Sequence, residues 1–110
     1  MARGSRSNTE LAVTYSLTVR RAAEADLAEI FTWYESHEPG VGSRFLSETD
    51  RAFELIEQRP LSFPILRGRT RRCVLFDFPY SIFFVVVDTR IFITSCVHHS
   101  QHPRVWRSRR

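Results

Sequence analysis

The period of the apolar positions changes twice along the chain. Val13, Tyr15, Leu17 and Val19 alternate with other residues, as in a strand with one buried face, so Val13–Val19 is expected to open the fold as a strand. From about Ala22 the spacing becomes helical. Leu27, Ile30, Phe31 and Tyr34 fall at i, i+3, i+4 and i+7 and make one apolar stripe. Glu24, Asp26 and Glu29 sit near its start, where the helix dipole favours negative charge. His37-Glu38-Pro39-Gly40 ends this helix, because Pro and Gly interrupt the pattern. A second helix over about Val41–Gln58 buries Phe45, Thr49, Ala52, Phe53 and Ile56, widened by Leu46 and Leu55, and stops ahead of Pro60. The short link between the two stripes predicts an antiparallel helix hairpin.

After Pro60 the period returns to that of strands. Residues 60–70, with their prolines and Gly68, read as a loop. Arg72–Phe76 is expected to be a strand. Tyr80–Val87 is apolar at nearly every position, which marks a central strand covered on both sides. Asp88-Thr89-Arg90 is a turn, and Ile91–His98 is the last strand. The predicted class is α+β, in the order β-α-α-β-β-β. The helix hairpin packs on one face of a four-stranded, mainly antiparallel sheet. The domain is expected to span residues 12–107, between a loose leader at 1–11 and a basic tail at 108–110. The opposite face of the sheet is left for another role.

Charge adds a second division. Residues 1–55 carry six Arg and nine acids, whereas residues 56–110 carry ten Arg and only Glu57, Asp77 and Asp88 as acids. All 16 basic side chains are Arg. A net of −3 thus faces a net of +7, and the basic half suits a polyanion or an acidic protein partner. No apolar run approaches the roughly 20 residues of a membrane span, and the N-terminus lacks the apolar core of a secretory signal. Cys73 and Cys96 do not make a disulfide framework. A cytoplasmic protein with reduced, mostly buried thiols and no membrane contact is expected.

Three chemistries were open to these residues. Cys96, His98, His99 and His102 lie close in sequence, but His98 and His99 would point to opposite sides of a continued strand, so no metal site is expected. Cys73 beside Arg71 and Arg72 lacks the setting of a nucleophile and reads as a small buried hydrophobe. Nucleic-acid cleavage would need Arg side chains to hold a phosphate and a His or Tyr to move protons. Arg67, Arg69, Arg71, Arg72 and Arg104 supply the charge, and Tyr80 and the histidines the protons, but no spacing demands this use. No cofactor is called for.

The order of several short motifs then resembles a known family. Leu66-Arg67-Gly68, Arg71-Arg72, Phe78-Pro79-Tyr80-Ser81-Ile82-Phe83-Phe84, Val97-His98 and His102-Pro103-Arg104-Val105-Trp106 are similar to the second half of ParE-type toxins of the RelE/ParE superfamily. Asp26-Leu27, Ile30, Trp33 and Tyr34 are similar to their first helix, and Pro60 to the end of their second. The resemblance covers residues 13–107. It implies the toxin of a type II toxin–antitoxin system, active in growth inhibition and plasmid stabilisation. The antitoxin wraps the toxin in a hetero-oligomer, and operator DNA is bound only through that antitoxin.

The resemblance also separates two activities. The RelE branch implies a ribosome-dependent mRNA endoribonuclease, and the ParE branch a poison of DNA gyrase. RelE-type nucleases carry basic residues along the strand where this chain has Cys73, Val74 and Leu75, an Arg where it has Ser81, and a tail Tyr where it has Trp106. A valine or an indole cannot hold a phosphate or donate the proton. The ParE-like reading is therefore preferred and assigns no catalytic residue. It assigns antitoxin or target binding to Arg67, Arg71, Arg72, Tyr80, His98, Arg104 and Trp106. A ribosome-dependent nuclease and an inactive family member are the alternatives.

Overall fold

The computed structural model describes residues 13–100. β1 is Ser16–Val19, α1 Arg21–His37 and α2 Val41–Gln58, followed by a 3-10 turn at Pro60–Ser62. β2 (Ile65–Arg67), β3 (Thr70–Val74), β4 (Tyr80–Val87) and β5 (Arg90–His98) complete the chain of elements. They form one sheet in the order β1-β5-β4-β3-β2. β1 runs parallel to β5, and the other pairs are antiparallel. The two helices pack on each other and on one face of the sheet.

The α+β class and the helix hairpin are as expected, but the sheet has five strands where four were expected. Ile65–Arg67, read as loop, folds back on β3 as a hairpin through Gly68, whose φ of 58° is the left-handed conformation glycine tolerates. Three exposed residues leave no alternation to detect. β3 starts two residues earlier than expected and ends at Val74, and β1 is shorter than expected.

The core lies between the helices and the sheet. Phe45, Ile56, Ile82, Phe84 and Ile91 are fully buried there. Tyr34, Phe45, Phe78 and Tyr80 pack edge to face or tilted, with ring centroids 5.3–6.4 Å apart. The helices approach closely at Gly42. A Cβ there would stand 2.6 Å from Glu35 Cγ and 2.8 Å from the Phe31 carbonyl oxygen. Glu35 also accepts hydrogen bonds from the N–H groups of Gly40 (2.9 Å), Gly42 (2.8 Å) and Ser43 (3.3 Å). One carboxylate thereby satisfies the orphan donors at the start of α2.

Two polar details fix the sheet. β5 carries a bulge: Phe84 lies opposite Ile93, but Phe83 lies opposite Ser95. Thr94 is the extra residue, and its hydroxyl donates to the Phe83 carbonyl at 3.1 Å. The bulge keeps Ile91, Ile93, Cys96 and His98 on the helix side, where strict alternation would have turned the last two away. The second detail concerns Cys96. β1 ends at Val19, opposite Ile93, so its pairing does not reach Cys96. The carboxylate of Asp26, buried in α1, accepts the Cys96 N–H at 2.9 Å.

Candidate binding surfaces

The pleat sends adjacent expected residues to opposite faces. Arg71 pairs with Phe84 and faces the helices, whereas Arg72 pairs with Phe83 and faces away from them. Arg71 donates to the Phe63 carbonyl at 2.7 Å and the Leu61 carbonyl at 3.3 Å. It ties the segment after α2 to the sheet. Half-buried Arg72 lies on the face that no helix covers among the described residues. Arg67 ends β2 and is exposed. Arg104 and Trp106 lie outside the described residues.

Tyr80 and His98 face the helices as a cross-strand pair, their rings edge to face at 5.0 Å. Burial, then the neighbouring Tyr34, pushes the Tyr80 phenol up to about 12. The phenol is therefore neutral throughout the physiological range. His98 Nδ1 accepts the Ser100 N–H at 3.0 Å and lies 2.8 Å from its hydroxyl. On the other face, His99 Nε2 meets buried Ser81 Oγ at 3.0 Å. The fold thus brings Tyr80 and His98 together and separates both from Arg72.

Both thiols are free and buried. Burial, with a smaller contribution from Glu48, raises Cys73 to about 11. Burial, helped by Asp26, raises Cys96 to about 12. Among the described residues no three His, Cys, Asp or Glu side chains gather as a metal would require. No helix among them is long and apolar enough to cross a membrane.

An opening lies between α2 and the outer edge of β3. It encloses about 860 Å³ and is lined by Glu48, Arg51, Ala52, Leu55 and the stretch Cys73–Asp77. Its rim is apolar and wet: Leu55 is 51% exposed, Val74 52% and Phe76 87%. Among the described residues the edge beside it is open. The Leu75 N–H donates to the Tyr80 carbonyl, so the main-chain groups of odd-numbered residues point to β4 and those of even-numbered ones point outward. The Arg72 N–H is taken by the Pro64 carbonyl at 3.1 Å, and that of Phe76 by Glu48 at 3.1 Å. Between them, Val74 presents its N–H and C=O outward, where no strand pairs with it among the described residues. Apolar anchors beside a free strand edge suit the addition of a strand from another chain. The sequence pattern did not indicate this groove, because its walls come from a helix face and a strand edge far apart in the chain.

Comparison with known proteins agrees with this architecture. Residues 17–103 match the family model described as the ParE toxin of the type II toxin–antitoxin system parDE. The chain belongs to the ParE toxin family. No curated protein sequence matches it. Among solved structures, this ParE-family toxin is similar to a chain of the chromosomal ParDE system of P. aeruginosa. The TM-score is 0.70 with 22% identity, covering 77% of this toxin and 96% of that chain. It is also similar to a chain of the RelBE2 toxin–antitoxin complex of Mycobacterium tuberculosis. There the TM-score is 0.55 with 20% identity, covering 78% of this toxin and 99% of that chain. At those identities the likeness is one of fold.

Proposed function

We propose that this ParE-family toxin acts by binding, with DNA gyrase as its target, and is neutralised by a cognate antitoxin whose C-terminal segment seats in the groove between α2 and β3. The groove carries the antitoxin half of this reading. It offers Leu55 and Phe76 as apolar anchors and the Val74 main chain as a pairing edge. A segment that is disordered alone can fold there as a strand or an amphipathic helix. Operator DNA is then reached only through the antitoxin, in a hetero-oligomer.

What supports binding over catalysis is that the Tyr80–His98 pair lies on the helix side, away from Arg72 on the other face. Tyr80 is half-buried on the helix side with its phenol held neutral. Ser81 is buried against His99, and Val74 is apolar. General acid–base catalysis needs such groups within reach of one reacting centre. The cations, in contrast, remain available: Arg67 is exposed, and Arg72 lies on the uncovered face.

The test is expression without the antitoxin, alongside purified gyrase. Growth arrest with blocked supercoiling, reversed by co-expressed antitoxin, is expected. Arrest with mRNA cut at the ribosomal A-site and normal supercoiling overturns the gyrase assignment in favour of a nuclease. Normal growth identifies an inactive family member.

A further inference from the structure

A cluster of cations lies on the sheet face that no helix covers among the described residues, on side chains far apart in sequence. β1 and β5 run parallel with Ser16 opposite Arg90 and Thr18 opposite Phe92. That pairing puts Arg20, Arg90 and Phe92 on the same face. The Arg20 guanidinium carbon stands 4.8 Å from the Phe92 ring centroid, and that of Arg90 5.9 Å. Across the sheet, Arg69 follows Gly68 in the β2–β3 turn and donates to the Val86 carbonyl at 3.3 Å. Arg20 and Arg69 line one open depression of about 470 Å³, floored by Thr70, Val85 and Val87.

These charges are held but not neutralised. The contacts of the three guanidiniums are an aromatic ring and a carbonyl oxygen. The nearest acids in sequence, Asp88 in the β4–β5 turn and Glu24 in the first turn of α1, make no ion pair with them, and among the described residues neither does any other carboxylate. All three side chains are exposed. Three like charges on one face repel each other, and a polyanion removes that cost.

The surroundings choose between kinds of polyanion. A protein partner anchors on large apolar side chains at the centre of its interface, where charges are depleted. None of the exposed large hydrophobics, such as Leu55, Leu61, Ile65, Val74 and Phe76, lines this depression. Phe92 is half-buried beneath the two arginines. What the patch offers is planar guanidinium donors on a rigid sheet, which match phosphate oxygens in pairs. We propose that Arg20, Arg69 and Arg90 form a binding site for the phosphodiester backbone of nucleic acid, independent of base sequence. The site is separate from the groove beside β3 and does not depend on which cellular target is used.

The test is fluorescence anisotropy of the full chain with labelled single-stranded and duplex oligonucleotides over a salt series. The triple variant Arg20→Gln, Arg69→Gln, Arg90→Gln is compared with a charge-matched variant at α2, Arg44→Gln, Arg59→Glu, which removes the same net charge outside both surfaces. The patch variant is expected to bind about tenfold or more weakly. Its log–log salt slope should be shallower by about 2 to 3, near 0.9 per duplex phosphate contact and less for a single strand. The α2 variant is expected to bind as the parent does. Tighter binding of one oligonucleotide form names the form that is used, and either form supports the site. Equal losses in both variants would assign the binding to bulk charge and overturn the site. So would a parent that binds neither form, or polyglutamate competing as well as the oligonucleotide at equal charge. If the triple variant loses its cooperative thermal transition, Arg90→Gln alone is read against Arg59→Gln with the same criteria.

Discussion

The two faces of the sheet use the same residue types for different ends. On the helix side, Arg71, Asp26, Tyr80 and Cys96 are bound into the fold. Arg71 holds two carbonyls, Asp26 holds a β5 N–H, and the phenol and thiol are kept neutral by burial. On the uncovered side, Arg20 and Arg90 rest on an aromatic ring with their charge exposed, and Arg72 lies on that same face. A polar group beside the core must be satisfied by the protein itself. One on an open face is left to a partner. The basic character that stands out in the sequence is therefore two populations, divided by the pleat between neighbours as close as Arg71 and Arg72.

The largest expected effect is on the helix side. Phe45→Ala empties the centre of the aromatic cluster and is expected to cost about 3–5 kcal/mol, read from urea unfolding. Asp26→Ala leaves the buried Cys96 N–H without its carboxylate, and a loss of about 1–3 kcal/mol is expected. A loss near zero in either variant would mean that the face does not hold the fold as described.

Alkaline pH probes the same side more gently. Cys73, Tyr80 and Cys96 all have folded values raised above 9.0, 10.0 and 9.0, to about 11, 12 and 12. A group whose pKa is raised by folding contributes stability below its unfolded value and loses it as pH climbs to the folded one. The unfolding midpoint should therefore be flat with respect to these groups up to about pH 9 and fall from there toward about pH 12. Native thiols should react slowly with a disulfide reagent at pH 8 and quickly in urea. Fast native labelling would contradict their burial.

Much of the fold was legible because its longer elements keep one period. The stripe Leu27–Tyr34, the second stripe from Phe45 to Ile56, and the apolar run Tyr80–Val87 each became the element they predicted. β2 was hidden because its three residues are exposed and follow two prolines. The bulge at Thr94 was hidden because one inserted residue leaves no mark in composition, yet it decides on which side His98 lies. The surfaces were less legible than the fold. Arg71 and Arg72 look equivalent in sequence until register assigns each a face. Arg20 and Arg90 meet only through the parallel pairing of β1 with β5, and Leu55 and Val74 only through the packing of α2 on the edge of β3.

The division of labour between the faces is tested most directly by a paired measurement on Arg71→Ala and Arg72→Ala, each read for chemical unfolding and for growth arrest without antitoxin. Arg71→Ala is expected to lose about 1–3 kcal/mol of stability, because two carbonyls lose their donor. Arg72→Ala is expected to unfold within about 0.5 kcal/mol of the parent and to lose its growth arrest. An Arg72→Ala toxin that arrests growth as the parent does, or an Arg71→Ala toxin that keeps its stability and loses its toxicity, would contradict the account.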